Sequence, residues 1–300
     1  MRKSGNNAFR IAPQRQRAGR FASALLVLIA GTSAAAAAPD LNGYKLIFED
    51  RFQGDHLDLS KWQIGLTPRG QQWGSDSYFV TATPEDATLF AKVYSVKDGV
   101  LTIRANYQED FGDPSHWGRK WFSGMIATAF SDGRPPSAAF RRGYVEIKQK
   151  FPAGKGVWPA NWACNLASQT AAGDPLGTIE LDGLEAYGVN MTMFHTTTHL
   201  WKDGEAFNMA TAKDLPDLTK DFHVFGYRIG DASMEVYVDG ALVSHAAVYR
   251  PEATDKFFWM FNLAMGGGWP IDIPPSHGYE MQIEYVKVFS ADQDAKLIVP

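Results

Sequence analysis

Hydrophobic and polar residues alternate in short runs along most of the chain, and turn-forming residues separate these runs. The alternating runs lie at 99–105, 143–151, 222–230, 234–245 and 281–289. Alternation with a period of two places successive side chains on opposite faces of an extended strand. Asp239-Gly240 interrupts the fourth run and predicts a two-residue hairpin turn. The chain is therefore predicted to be rich in antiparallel β-strands.

Helical periodicity is scarce by comparison. After residue 40 the sequence contains no amphipathic helical pattern longer than two turns, no repeat of fixed length and no charge block. The segments 63–90, 106–120 and 165–177 are rich in Gly, Pro, Asp and Ser and are predicted to be loops. We expect one all-β domain, a sandwich or a barrel, whose long loops shape a binding site.

The first 38 residues follow a different pattern. A basic segment without acids is followed by an apolar run that fades into alanines, which is typical of a secretory signal peptide. The apolar run is short for a membrane span of roughly 20 residues, although an uncut signal anchor is the alternative. We predict a cleaved signal peptide at 1–38, a single domain at 39–300, and a secreted or periplasmic protein without stable membrane insertion.

Composition and charge narrow the class of protein. The chain is 45% hydrophobic and 21% charged, which is typical of a globular protein. Its formal net charge of −4 gives no electrostatic attraction to nucleic acid, so we expect no nucleic-acid partner. The single cysteine, Cys164, allows no internal disulfide and is predicted to be a small buried hydrophobic residue.

The stretch "TIELDGLEAYG" at 178–188 holds three acids, Glu180, Asp182 and Glu185. Strict alternation places the first two on one face of a strand but sends Glu185 into the core, where an unpaired charge is costly. A β-bulge, in which Gly183 and Leu184 together oppose one residue of the neighbouring strand, returns Glu185 to the acidic face. We predict such a bulge, with Leu184 in the core.

Two glutamates on one face are suited to glycoside hydrolysis. With the bulge, Glu180 and Glu185 lie roughly 13 Å apart at their Cα atoms, and their side chains can lean toward the ~5–5.5 Å that retaining glycosidases use. Asp182 lies between them and is predicted to hydrogen-bond Glu180 and to raise the pKa of Glu185 by its like charge. A solvated acidic face and a calcium site remain alternatives at this point.

Aromatic residues and histidines surround this acidic strand in the sequence. Trp158 and Trp162 precede it and could stack on sugar rings, although a core role fits them equally. His195 and His199 flank three threonines, which favour a strand over a helix. Along a strand the two imidazoles lie too far apart to share a zinc ion.

These motifs together resemble glycoside hydrolase family 16, whose bulged signature is E-x-D-x-x-E. In this chain the signature is Glu180-Leu181-Asp182-Gly183-Leu184-Glu185. Further family-like segments follow the family's order at 46–62, 123–128, 143–162, 195–199, 222–240 and 261–270. The resemblance covers about residues 44 to 290. It implies a concanavalin-like β-jelly-roll sandwich of two antiparallel sheets with a concave substrate cleft.

The resemblance also implies roles for individual residues. It makes Glu180 the nucleophile, Glu185 the general acid/base and Asp182 the assisting carboxylate. The residues implied to line the sugar cleft are Trp158, Trp162, His199 and Trp269. No catalytic cofactor is expected. A structural calcium is implied on the convex side, and its ligands would be the carbonyls of Arg51 and Gly99 and the side chain of Glu284, where the family more often has Asp.

Two departures from the family pattern bear on the substrate. Met125 stands where many β-1,3-glucanases carry Arg, and Asn161 stands where an aromatic residue is usual. We expect a monomeric, endo-acting retaining glycoside hydrolase whose partner is a polysaccharide, either a β-1,3/1,4-glucan or a bacterial exopolysaccharide. The alternatives are a jelly-roll carbohydrate-binding protein without hydrolytic activity, and a transglycosylase that uses the same residues.

Overall fold

The structure is a computed structural model that describes residues 39–65, 74–169, 173–275 and 278–294. The predicted signal peptide at 1–38 lies outside the described residues. Of the predicted domain at 39–300, residues 295–300 and the three short gaps lie outside them. The described residues all fall in one unit of the chain, which spans Ala36–Pro300.

Strands account for most of the regular structure in these ranges. In chain order they are β1 (Lys45–Asp50), β2 (Gln63–Ile64), β3 (Ser77–Phe79), β4 (Tyr94–Lys97), β5 (Val100–Tyr107), β6 (Trp121–Ser123), β7 (Met125–Ala127), β8 (Gly143–Lys150), β9 (Val157–Asn165), β10 (Thr178–Glu185), β11 (Phe194–Trp201), β12 (Glu205–Ala212), β13 (His223–Ile229), β14 (Ser233–Val238), β15 (Ala241–Ala247), β16 (Phe257–Met265) and β17 (Tyr279–Ser290). A short helix, α1 (Ala87–Val93), and two 3-10 turns, Pro84–Asp86 and Leu166–Gln169, complete the list.

The strands form two sheets. The back sheet has the order β15-β14-β13-β8-β17-β5-β6-β3, and β1 and β4 add to it by pairing with β17 and β5. The front sheet has the order β12-β11-β10-β9-β16-β7-β2. All described strand pairs are antiparallel except β3 with β6. Strands β9 to β12 form a meander in the front sheet, whereas β13 to β15 form one in the back sheet, so the predicted two-sheet jelly-roll sandwich is confirmed.

The hydrophobic core lies between the two sheets. From β10 it receives Ile179, Leu181 and Leu184, and from β13 it receives Phe225 and Tyr227, all fully or almost fully buried. Large aromatic side chains make up much of this core. Because no disulfide limits the conformational entropy of the unfolded chain, burial in the core has to supply the stability. The thiol of Cys164 is free and buried, as predicted.

The alternating runs of the sequence correspond to β5, β8, β13, β14, β15 and β17. Val238 pairs with Ala241, and Asp239 and Gly240 have φ values of 49° and 82°, so the predicted two-residue hairpin is confirmed. The segment 63–90, predicted to be a loop, also contains β2, β3 and the start of α1. These two strands and the first residues of α1 are too short to show a hydrophobic period in the sequence. No helix among the described residues is long and apolar enough to cross a membrane.

Candidate active site

A one-residue bulge in β10 organises the site. On one side Asp182 pairs with Thr197 and Glu185 pairs with His195, so three steps along β10 match two steps along β11. On the β9 side the register likewise shifts between Asp182 and Leu184. Leu184 is fully buried, as predicted. The predicted bulge is therefore confirmed.

Contact with the back sheet explains why position 183 is a glycine. A Cβ atom on Gly183 would overlap the ring of Tyr227. That ring is fixed, because Asn161 Nδ2 donates a hydrogen bond of 2.6 Å to its hydroxyl and the ring stacks on Trp259 with centroids 4.9 Å apart. Thr196 Oγ1 donates to the carbonyl of Gly183 at 3.2 Å. Space, rather than an unusual φ, requires glycine here. Asn161, a departure from the family pattern, supports this contact.

The bulge brings the three acids to one cavity on the outer face of the front sheet. The cavity crosses the sheet from the start of β12 to β7, and Glu180, Asp182 and Glu185 all line it. Its described lining is otherwise aromatic, apolar or small and polar, with one histidine and one further acid, Glu205, and it contains no Lys or Arg. The site is therefore a long groove with acids near its middle.

His199 connects the acids to one another. Its Nε2 atom lies 2.9 Å from Asp182 Oδ2 and 3.9 Å from Glu180 Oε1, and its Nδ1 atom lies 2.7 Å from Glu205 Oε1. Each ring nitrogen of His199 thus faces a carboxyl oxygen. The sequence predicts a hydrogen bond from Asp182 to Glu180, but the described contact of Asp182 is with His199. The histidine lies between the two carboxyls because β11 is the neighbouring strand.

Burial raises the pKa of all three carboxyls. For Glu180 the charges of Asp182 and Glu185 add to this effect, whereas His199 and a hydrogen bond from the indole of Trp201 lower its pKa. For Asp182 the charges of Glu185 and Glu205 raise the pKa further. The cluster therefore keeps protons at a pH where isolated carboxyls are ionised.

The environment of Glu185 differs from that of Glu180. Trp158 Nε1 donates to Glu185 Oε1 at 3.1 Å, and the Tyr187 hydroxyl lies 3.5 Å from the same oxygen. Burial raises the pKa of Glu185, whereas the Trp158 hydrogen bond, the charge of His199 and the Tyr187 hydrogen bond lower it. The expected like-charge effect between Asp182 and Glu185 therefore acts on the pKa of Asp182, and burial is what raises the pKa of Glu185.

The aromatic residues expected in the cleft take different positions. Trp158 lines the cavity and stacks on Tyr187, with centroids 5.9 Å apart. Trp162 also lines it but is only 6% exposed, and its Nε1 donates to Asn262 Oδ1 at 2.7 Å. It is a wall of the cavity rather than an open platform. Trp269 is 47% exposed and packs against Tyr187 at the edge of the cleft, beside a second, smaller pocket next to Glu185.

Sequence reasoning missed several residues of the site. Tyr187 and Trp201 lie two positions after Glu185 and His199, so a strand period of two could have found them. Glu205 could not be found in this way, because its place depends on the register in which Trp201 of β11 pairs with Glu205 of β12. The run "GGG" at 266–268 also contributes, since a Cβ atom on Gly267 would overlap the ring of Trp158.

Carboxylates and histidines that could ligate a metal lie at two places in the front sheet. Glu180, Asp182 and His199 offer ligand atoms within 4.8 Å of one another, a spacing that a cation could also use. His195, by contrast, lies at the other end of β11, where its Nδ1 atom is 3.1 Å from Thr211 Oγ1. The two histidines therefore do not converge, which agrees with the strand prediction.

The residues of the implied calcium site do not fit an ion in this arrangement. The carbonyl of Arg51 lies near Gly99, but it accepts a hydrogen bond of 3.1 Å from Gln53 Nε2. The carboxylate of Glu284 pairs with Lys148 Nζ at 2.6 Å. The one side-chain ligand expected of this site is therefore already paired with an ammonium group. Structural calcium stays a prediction, and we derive no role for it.

Comparison with known proteins gives the family. The model of glycosyl hydrolases family 16 matches residues 101–287. Endo-1,3-1,4-beta-glycanase EglC of Rhizobium meliloti (strain 1021) is 31% identical over 211 residues, which cover 69% of this chain and 42% of EglC. The chain belongs to glycosyl hydrolases family 16.

Further relatives support the assignment to family 16. Beta-glucanase of Rhodothermus marinus is 26% identical over 269 residues, covering 82% of this chain and 85% of that protein. The structure of an endo-beta-1,3-glucanase from Pyrococcus furiosus aligns with a TM-score of 0.65 at 25% identity, covering 82% of this chain and 94% of that one. The aligned region spans less than half of the length of EglC.

The contact between Gly183 and Tyr227 gives a testable prediction. We expect Gly183→Ala to lower the free energy of unfolding by about 1–3 kcal/mol, because the added methyl group must displace a packed ring. Chemical denaturation followed by fluorescence measures the change. Gly112→Ala is the matched control, since nothing lies within 4 Å of its Cβ position. Equal stability of the Gly183→Ala variant and the wild-type protein would show that the ring does not hold the bulge.

Proposed function

We propose that this protein is a secreted, monomeric, endo-acting retaining glycoside hydrolase that cleaves internal β-linkages of a neutral β-glucan. The observation that carries the proposal is the bulge, which places Glu180, Asp182 and Glu185 together in a groove open along the sheet. A groove of this kind can bind a chain in its middle, as an endo-acting enzyme requires. The intact set of acids favours an enzyme over a binding protein, which needs no proton donor.

The surroundings of the two glutamates support different roles. Burial and the charge of Asp182 raise the pKa of Glu180, and His199 and the indole of Trp201 oppose them, so these two groups are the ones that can stabilise its anion as a nucleophile. Glu185 is partly buried against Trp158 and Tyr187, and its raised pKa suits a carboxyl that must carry a proton in the free enzyme. Asp182 holds His199 beside the nucleophile and adds the negative charge that raises the pKa of Glu180.

The reaction would proceed in two displacements. In the first, the carboxylate of Glu180 bonds to the anomeric carbon while the bond to the leaving oxygen breaks and Glu185 gives that oxygen its proton. In the second, Glu185 takes a proton from water, and the resulting hydroxide displaces Glu180 from the same carbon. Two inversions give net retention. An acceptor sugar in place of water would give transglycosylation.

The charges of the groove support a neutral substrate. Acids, aromatic rings and apolar side chains line the described part of the cavity, and no Lys or Arg is present there to bind sulfate or carboxylate groups. Met125 contributes an apolar wall where many β-1,3-glucanases of the family carry an arginine. The name of the Rhodothermus enzyme, beta-glucanase, points to a glucan, and that of EglC, endo-1,3-1,4-beta-glycanase, to a β-linked polysaccharide. Among bacterial exopolysaccharides, neutral ones suit the described lining of this groove better than anionic ones.

A reducing-end assay on neutral and anionic polysaccharides tests the proposed function. We expect new reducing ends from a neutral β-glucan and far fewer from sulfated or carboxylated chains. Binding without new reducing ends would instead support the carbohydrate-binding alternative, and products longer than the starting oligosaccharides would identify a transglycosylase.

The nucleophile role is tested by Glu180→Gln. An amide cannot form the glycosyl–enzyme intermediate, so we expect turnover to fall by at least about 1,000-fold while circular dichroism stays unchanged. Glu280→Gln, which changes a glutamate on the back sheet, is the control and should keep full activity. A Glu180→Gln variant with most of its activity would mean that another group attacks the sugar.

The role of Glu185 is tested by Glu185→Ala with an activated aryl β-glycoside. The intermediate still forms because this leaving group needs no proton, but its breakdown stalls without a base. Azide needs no base and fits the space of the lost side chain, so we expect it to speed turnover and to yield a β-glycosyl azide. Absence of both effects would remove Glu185 from the acid/base role. In the wild-type enzyme, proton NMR of early products should show the β-anomer.

Trp158→Phe tests how the pKa of Glu185 is set. The Trp158 N–H stabilises the ionised carboxyl, so its loss raises the pKa of Glu185 and keeps the acid protonated to higher pH. We expect the alkaline limb of kcat/KM to move to higher pH while the acidic limb stays in place. Tyr187→Phe removes the longer hydrogen bond and should give a smaller shift in the same direction. An alkaline limb that moves to lower pH contradicts this assignment.

A further inference from the structure

Three large apolar side chains lie exposed beside the groove. Trp201, Phe207 and Met209 are 41%, 57% and 58% exposed, and they lie on β11 and the edge strand β12. We call these three residues the outer shelf. An exposed apolar surface of this kind on a soluble protein commonly marks a binding site.

The register of the front sheet places the shelf on the same face as the acids. Glu180 pairs with His199, which pairs with Phe207, and the next row runs from Asp182 through Thr197 to Met209. Paired residues project to the same side of a sheet. With strands about 4.8 Å apart, Phe207 and Met209 lie about 10 Å from the acids, across the sheet. The groove therefore continues onto the shelf.

We propose that the outer shelf is a second sugar-binding platform, which holds outer units of the same neutral β-glucan chain that is cleaved beside Glu180. This inference rests on the proposed function, and it adds binding residues on β12 that act at a distance from the reacting bond. The pyranose rings of a β-linked glucan present apolar C–H faces, which aromatic and thioether side chains can cover.

Two observations select this occupant. The groove reaches the shelf without a break in the row of side chains, because Trp201 and Glu205 line the cavity and Phe207 packs against His199 with ring centroids 6.1 Å apart. Within β12, the charged side chain nearest to the outer shelf is that of Glu205. Its carboxylate repels an anionic polysaccharide, so a neutral chain is the ligand.

Chain-length dependence of hydrolysis tests the proposal. Met209→Ala and Phe207→Ala are compared with the wild-type enzyme on β-glucan oligosaccharides of increasing length and on the polymer. We expect kcat/KM on the polymer to fall about tenfold, mainly through KM, and to stay within about twofold on the shortest oligosaccharide that is cleaved. Leu242→Ala is the matched control, since Leu242 is a 39% exposed apolar residue on β15 of the back sheet.

Three results would overturn the inference that the outer shelf binds sugar. An equal loss on short and long substrates would show that the shelf acts through His199, and an unchanged kcat/KM on the polymer would show that it binds no sugar; either result overturns the inference. So would a dimer in sedimentation that Met209→Ala dissociates, because the shelf would then be covered by a second copy of the chain.

A binding measurement completes the test independently of turnover. In affinity electrophoresis through a gel that contains the β-glucan, we expect Glu180→Gln to be retarded and the double variant Glu180→Gln/Met209→Ala to be retarded less. Retardation together with an inactive wild-type enzyme would leave the shelf in place and reject the hydrolase proposal. Equal retardation of the single and double variants would reject the shelf.

Discussion

An extended strand cannot present Glu180, Asp182 and Glu185 to one side unless it gains a residue between the last two. The bulge in β10 supplies that residue, and the arrangement of the site depends on it. Its position is fixed from the back sheet, where the ring of Tyr227 packs against the backbone of Gly183. The interior of the sandwich thus determines which side chains its outer face presents, since a slip of one residue would bury Glu185 and expose Leu184.

The second constraint is electrostatic. Three carboxyls, those of Glu180, Asp182 and Glu205, lie around the imidazole of His199, and Glu185 lies in the same cavity. Buried like charges raise one another's pKa, so the cluster is stable only if some carboxyls keep protons or gain cationic and N–H partners. The partners are distributed unequally. Those of Glu180 are the charge of His199 and the indole of Trp201, whereas those of Glu185 are the N–H of Trp158, the charge of His199 and the hydroxyl of Tyr187. The indole of Trp201 is thus particular to Glu180, and Trp158 and Tyr187 are particular to Glu185, so the two glutamates differ in their hydrogen-bond partners when they take the roles of nucleophile and acid in the proposed mechanism.

The sequence predicted the fold class, the main strands and the bulge because each of these follows from local alternation. The acid motif also identified the centre of the site. The rest depended on pairings that alternation does not specify. Glu205 reaches His199 only through the register between β11 and β12. The reason for Gly183 is a contact with Tyr227, 44 positions later in the chain. The hydrogen bond from Trp158 to Glu185 depends on the pairing of β9 with β10.

The register of the edge strand β12 affects both the acids of the site and the apolar surface beside them. Strand β12 follows β11 through a short turn in which Asp203 and Gly204 have positive φ values, and this turn fixes the register between the two strands. The same register places Glu205 against His199 and places Phe207 and Met209 in the rows that begin at Glu180 and Asp182. The position of the imidazole and the reach of the groove are therefore coupled. A change in the turn would alter the environment of the acids and the apolar surface beside them at the same time.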